Sequence, residues 1–158
     1  MKPGKAIVLG DNIDTDQILG AHRLTLPSVA AMAPYAFEHH KLFQKVFEAG
    51  DIIVAGNNFG CGSSREQASA VLKERGVSSI VAKGFARIFY RNAINLGLRL
   101  IECPIATATT TGDQIKIAAI RLRNLTTRQD HAIEPLPAFL QAIVDCGGAT
   151  GLCRKKKE

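Results

Sequence analysis

The chain has 158 residues, 46% of them apolar, with a formal charge of +6. That length suits one domain with a core of its own, spanning residues 1–158, and no apolar run is long enough to cross a bilayer. Met1 to Gly10 enters an apolar run without a signal-peptide pattern, so a cytoplasmic protein with no membrane partner is expected.

The first run, Lys5 to Leu9, reads as a buried strand, and Gly10-Asp11-Asn12-Ile13-Asp14-Thr15-Asp16 follows it as a polar turn. Asp11 and Asp14 are read as turn carboxylates with local hydrogen bonds. Residues 18–27 read as an irregular loop. From Ser28 the pattern turns helical, and Tyr35 to Phe47 sets Phe37, Leu42, Phe43, Val46 and Phe47 on one apolar stripe. His39 and His40 lie among them with no carboxylate or thiol at ligand spacing, so both are read as surface or hydrogen-bonded histidines.

A strand over Asp51 to Val54 then breaks into Gly56-Asn57-Asn58-Phe59-Gly60-Cys61-Gly62-Ser63-Ser64-Arg65-Glu66 before a helix with Ala68, Val71 and Leu72 on its buried face. Three glycines let this backbone come close to a ligand, and the helix start offers free N–H groups to an anion. Arg65 adds a planar fork suited to a carboxylate or phosphate. Ser63-Ser64-Arg65-Glu66 also fits a capping box, so Ser63 has two readings, a helix cap or a reactive hydroxyl.

Gly76 is the expected cap of this helix. Ser79 to Ala82 reads as a strand, and Phe85, Ile88, Phe89 and Ile94 mark a second helix stopped by Gly97. Leu98 to Cys103 reads as a third strand in this series. Alternating strands and helices point to an α/β core with parallel pairing. Two strand-like runs, Gln114 to Ala119 and Ile120 to Leu125, suggest an added β layer, and Leu136 to Val144 a closing helix.

The cysteines, Cys61, Cys103, Cys146 and Cys153, are scattered without a CxxC pair and suit reduced thiols. Cys61 at a helix start raises the alternative of a thiol enzyme, but no histidine is placed near it. The basic tail Arg154-Lys155-Lys156-Lys157 reads as a solvated end. Nucleic-acid binding is not expected, because the cations are spread along the chain without interleaved aromatics.

The Gly10–Ile18 turn, the Gly56–Glu66 loop and Ala82-Lys83-Gly84-Phe85-Ala86-Arg87-Ile88-Phe89-Tyr90-Arg91-Asn92 together resemble the small, swivelling subunits of the aconitase family, those of isopropylmalate type in particular. The resemblance runs nearly end to end. It implies an α/β fold of swivelling β/β/α type that closes over a large subunit carrying a [4Fe–4S] cluster, with no cofactor held by this chain. The activity implied is a hydro-lyase, active only with that large subunit. It would shift the hydroxyl of a 2-hydroxy di- or tricarboxylate by dehydration and rehydration, with 3-isopropylmalate the expected substrate and homoaconitate, aconitate or another alkylmalate the alternatives. By the same resemblance Ser63 is the general base, Ser64 a neighbouring donor and Arg65 a carboxylate holder. Asp16 would orient and compensate charge, against its local reading as one more turn carboxylate. Lys83, Arg87 and Arg91 are read as fold or subunit-interface residues.

The chain departs from that pattern at Gly20-Ala21-His22-Arg23-Leu24, where isopropylmalate enzymes commonly read Pro-Gly-Arg-Tyr-Leu. Arg23 and Leu24 are therefore candidates for contact with the substrate's side group. An unpaired guanidinium facing an isopropyl group would be costly. Arg23 is expected to turn outward, leaving Leu24 and Leu26 to line the pocket, or else to meet a further carboxylate.

Overall fold

The computed structural model describes residues 2–155. Four parallel strands form its centre: β1 (Gly4–Val8), β2 (Ile52–Ala55), β3 (Ser79–Ala82) and β4 (Arg99–Glu102). Three antiparallel strands continue the same sheet, β5 (Gln114–Ile117), β6 (Arg121–Asn124) and β7 (Gln129–Ala132), giving the order β4-β3-β2-β1-β5-β6-β7. The helices are α1 (Thr15–Ile18), α2 (Val29–Met32), α3 (Lys41–Val46), α4 (Glu66–Glu74), α5 (Arg87–Asn95), α6 (Ala138–Asp145) and α7 (Ala149–Lys155). Arg154 and Lys155 close α7, while Lys156 and Lys157 of the basic tail lie outside the described residues.

The strand pattern decides the layering. β2 and β3 are buried at every position, as expected of strands covered on both faces. Alternation then splits their side chains. Ile53, Ala55, Ile80 and Ala82 pack with Ala68, Val71, Leu72, Phe89 and Ile94 of the helices, whereas Ile52, Val54 and Val81 pack with Ile115, Ile117 and Leu122 of the antiparallel strands. The sheet thus curls over its own second face, giving β, β and α layers. β5 and β6 bury alternate residues only, which is the pattern of strands with one face to solvent.

Several boundaries differ from the sequence reading. The added strands end earlier, because the chain turns at Ala118, whose N–H donates to Arg121 O at 2.8 Å. β7 has no apolar run to announce it and is mostly exposed. The stripe from Tyr35 to Phe47 is not one helix: the chain breaks at Phe37, whose φ is +55°, and restarts at α3, leaving Leu42 44% exposed. Ile88, expected on the buried face of α5, is 47% exposed. The loop at 18–27 contains α1's last residue and a 3₁₀ turn over Ala21–Thr25.

Gly76 and Gly97 end α4 and α5 as expected, each with positive φ and with the next residue's N–H reaching back, Val77 to Leu72 O and Leu98 to Ala93 O. At Gly97 a side chain would also overlap the backbone of Gly147 and Gly148, which seat the C-terminal helices. Gly97→Ala is therefore expected to lower unfolding free energy by about 2 kcal/mol or more. Gly10→Ala, where a Cβ meets nothing within 4 Å, should change it by less than about 1 kcal/mol. Denaturant unfolding of the two variants checks the contrast.

Candidate active site

The loops at the carboxyl ends of the parallel strands carry the candidate residues, the usual place for a ligand in such sheets. The loop after β2 lies between the other two. On one side Asn12 N–H donates to Asn57 O at 2.8 Å, Gly60 N–H to Ile13 O at 2.7 Å and Thr15 N–H to Cys61 O at 2.9 Å. On the other, Phe59 N–H donates to Gly84 O at 3.0 Å and Ala86 N–H to Phe59 O at 2.9 Å. Asn12 and Asn58 both take positive φ, which short polar side chains tolerate, and Asn58 Nδ2 donates to Asn12 Oδ1 at 3.0 Å. Gly60, at φ +81°, lies against the Phe89 ring where a Cβ would clash. Asp11 and Asp14 behave as turn carboxylates: Asp11 accepts Asn57 N–H at 2.5 Å, and Asp14 caps α1 by accepting Gln17 N–H at 2.7 Å.

This docking brings Asp16, Ser63 and Arg65 together. Arg65 Nε donates to Ser63 Oγ at 3.2 Å, and its Nη1 donates to Asp16 Oδ1 at 2.7 Å. Ser63 N–H is held by Thr15 Oγ1 at 3.0 Å. The Arg65 side chain is 22% exposed and that of Asp16 60%, so the chain of contacts lies at the surface of this protein.

The capping reading of Ser63 is overturned. Helix α4 begins at Glu66 with Arg65 as its N-cap and no side-chain capping bond, so Ser63 lies two residues too early to serve the helix. Its hydroxyl instead accepts from a cation. Ser64 is not drawn into the constellation; its carbonyl accepts from Asn92 Nδ2 at 3.3 Å on α5.

Arg23 pairs with a carboxylate of the chain itself. Its Nε and Nη2 fork onto Glu38, with contacts of 2.6–3.2 Å, and the guanidinium lies 3.7 Å from the centre of the Tyr35 ring. It is spoken for inside the chain, because Glu38 offers a half-buried bidentate partner that sequence spacing could not pair with it. Leu24 and Leu26 are partly buried and pack against the main core. The residues that sequence reasoning missed are Thr15, Asn92 and Glu38. Thr15 and Asn92 both lay in motifs already quoted, the first in Asp14-Thr15-Asp16 and the second at the end of the run from Ala82 to Asn92, whereas Glu38 lay in none.

Among the described residues no three His, Cys, Asp or Glu side chains group as metal ligands, and no helix is long and apolar enough to cross a membrane. Cys103 is buried on the far side of the sheet, where burial pushes its thiol pKa up.

A strand-and-helix core with a glycine-rich serine–arginine loop at its carboxyl edge is the architecture of an aconitase-type domain, and the model for the aconitase C-terminal domain matches residues 36–105. The chain is 45% identical over 149 residues to the 3-isopropylmalate dehydratase small subunit of Caldicellulosiruptor saccharolyticus, covering 92% of this chain and 86% of that one. It is 40% identical over 158 residues to 3-isopropylmalate dehydratase small subunit 1 of Archaeoglobus fulgidus, covering 98% of each. The crystal structure of 3-isopropylmalate dehydratase from Methanocaldococcus jannaschii superposes with a TM-score of 0.92 at 35% identity, covering 98% of this chain and 94% of that one. The chain belongs to the aconitase family, in its branch of 3-isopropylmalate dehydratase small subunits.

The Arg23 guanidinium, by its hydrogen bonds first and its charge second, holds the Glu38 carboxyl below the usual carboxylate range. A carboxyl depressed in the folded state contributes stability above its unfolded pKa, about 4.3, and loses it as pH falls through the folded value. The thermal midpoint of Glu38→Gln should therefore be lower than the parent's near neutral pH, with the gap narrowing as pH falls below about 4. A gap constant with pH would show that the pair contributes no such linkage.

Proposed function

We propose that this chain is the small subunit of a hydro-lyase that interconverts 3-isopropylmalate and 2-isopropylmalate in leucine biosynthesis, working with a large subunit that carries a [4Fe–4S] cluster. The observation that carries the catalytic reading is the Arg65 hydrogen bond to Ser63 Oγ, made by a guanidinium that Asp16 holds in place. When bound in the partner, the cluster supplies a Lewis acid for the departing hydroxyl. This chain's share is the other half of the elimination, removal of a carbon-bound proton beside a carboxylate.

A serine hydroxyl is too weak a base in water, so its environment must favour the anion. A cation donating directly to Oγ does so, and the unfilled N–H groups at the start of α4 add positive potential close by. Asp16 works against this in charge but fixes the guanidinium's orientation; that is the trade a positioning carboxylate makes. With Nε on Ser63 and Nη1 on Asp16, Arg65 keeps Nη2 for a substrate carboxylate. Ser64, next in the loop and outside the Ser63–Arg65–Asp16 contacts, is proposed as a further hydroxyl donor to the substrate. The exposed site fits a chain that completes its active site against a partner.

The Arg23–Glu38 pair supports 3-isopropylmalate over a tricarboxylate. A guanidinium already forked onto an internal carboxylate does not present the free cation that a third carboxylate would require.

Co-expressed anaerobically with its cluster-bearing large subunit, the chain is expected to give turnover of 3-isopropylmalate. Ser63→Ala should lower kcat by about 10²–10⁴-fold with a thermal midpoint close to the parent's, since the hydroxyl caps no helix. Turnover within a few-fold of the parent would remove Ser63 from the chemistry. Arg65→Lys should both lower kcat and raise KM, because an ammonium cannot donate to Ser63, Asp16 and a carboxylate from one fixed plane. A change in KM alone would mean that Arg65 binds substrate without activating Ser63.

A further inference from the structure

A cavity of about 480 Å³ opens beside Asp16, within the range of roughly 300–1,000 Å³ usual for small-molecule sites. Its floor is Ile13 and Phe37, 8% and 1% exposed. Gln17, His39 and His40 supply polar walls. Phe37 holds its left-handed backbone at this point, which sets the turn that delivers His39 and His40 to the cavity.

His40 is fixed in a way that dictates its chemistry. Its Nδ1 accepts the N–H of Phe43 at 3.1 Å as the N-cap of α3, and its ring meets Phe37 edge to face, with centroids 6.3 Å apart. A ring nitrogen that accepts a hydrogen bond carries no proton, so the proton of the neutral imidazole is on Nε2. That N–H has no partner among the described residues. Gln17 is held similarly: its Oε1 accepts Asp14 N–H at 3.3 Å, leaving the amide NH₂ as a second donor on the same cavity. Asp14 and Asp16 line the cavity as well; Asp14 accepts Gln17 N–H at 2.7 Å and Asp16 is paired with the Arg65 guanidinium at 2.7 Å, which offsets the charge of Asp16. His39, by contrast, is 81% exposed and 3.8 Å from Glu38, with nothing fixing its ring toward the cavity.

Two preset donors over an apolar floor, next to the Ser63–Arg65–Asp16 chain, suit an anion with two oxygens. We propose that this cavity seats the second carboxylate of the substrate, the one that Arg65 does not hold, with His40 Nε2–H as its principal donor and Gln17 as its neighbour. The assignment rests on the functional reading above and adds a binding residue from outside the three motifs. The apolar floor strengthens the contact by excluding water from one side of it.

The test pairs a change in His40 with a change in the ligand. The assembled enzyme is assayed with an alkylsuccinate, which lacks the hydroxyl and cannot react, and with its half-amides as competitive inhibitors. His40→Asn retains a side-chain acceptor for Phe43 N–H but removes the imidazole donor. It is expected to raise KM and to weaken the dicarboxylate about tenfold, with kcat within about threefold of the parent. Binding of the half-amide that lacks the second carboxylate should change by less than about twofold. His40→Ser, another N-cap residue, should behave alike. Equal losses for diacid and half-amide, or no loss for either, would overturn the assignment. A parent complex without turnover on any malate-type diacid would contradict the functional reading itself, and the carboxylate assignment with it.

Discussion

The site depends on the seating of one loop between two others. Residues 56–65 leave β2 and make backbone hydrogen bonds to the β1–α1 turn on one side and to the β3–α5 turn on the other. Those bonds satisfy the polar backbone of a segment that forms neither helix nor strand. They also set distances. Asp16 is 49 residues from Arg65 in sequence, and Ser63 is 48 from Thr15, yet both pairs lie within hydrogen-bond reach because the loops are locked together.

The lock is backed by packing that leaves little freedom. Phe59 is fully buried among Phe85 and Phe89, with ring centroids 6.1 and 5.3 Å away, and Gly60 has no room for a side chain beside Phe89. Helix α5 thereby supports the loop from below, while α4 carries on from Arg65 and buries Ala68, Val71 and Leu72 in the same core. A rigid scaffold under an exposed constellation is the arrangement expected where a second subunit must close over it.

Much of this was legible in the sequence, for identifiable reasons. Fully apolar strands, Gly76 and Gly97 at helix ends, and the polar turn after the first strand have strong local signatures, and the resemblance to the aconitase family singled out Ser63, Arg65 and Asp16 before their contacts were visible. Other features were illegible because they depend on distant partners. The capping box at Ser63 lost because α4 begins only at Glu66, and the Ser63 hydroxyl accepts instead from Arg65, whose guanidinium is held by Asp16 from 49 residues away. Arg23 could not be placed without Glu38, which reaches it through the break at Phe37, and that break overrides a helical stripe of aromatics. β7 has no apolar run and exists by pairing with β6. His40 looked ordinary, since its role as a cap is set by where α3 begins.

The central claim is that Arg65 joins Ser63 to Asp16 as one working unit. A double-mutant cycle on kcat/KM in the assembled enzyme, using Asp16→Asn, Arg65→Lys and the pair, measures that coupling directly. If Asp16 acts by orienting the guanidinium, the double variant should be little worse than Arg65→Lys alone, with the two losses falling short of additivity by about tenfold or more. Fully additive losses would show that Asp16 and Arg65 act independently, and would contradict the account.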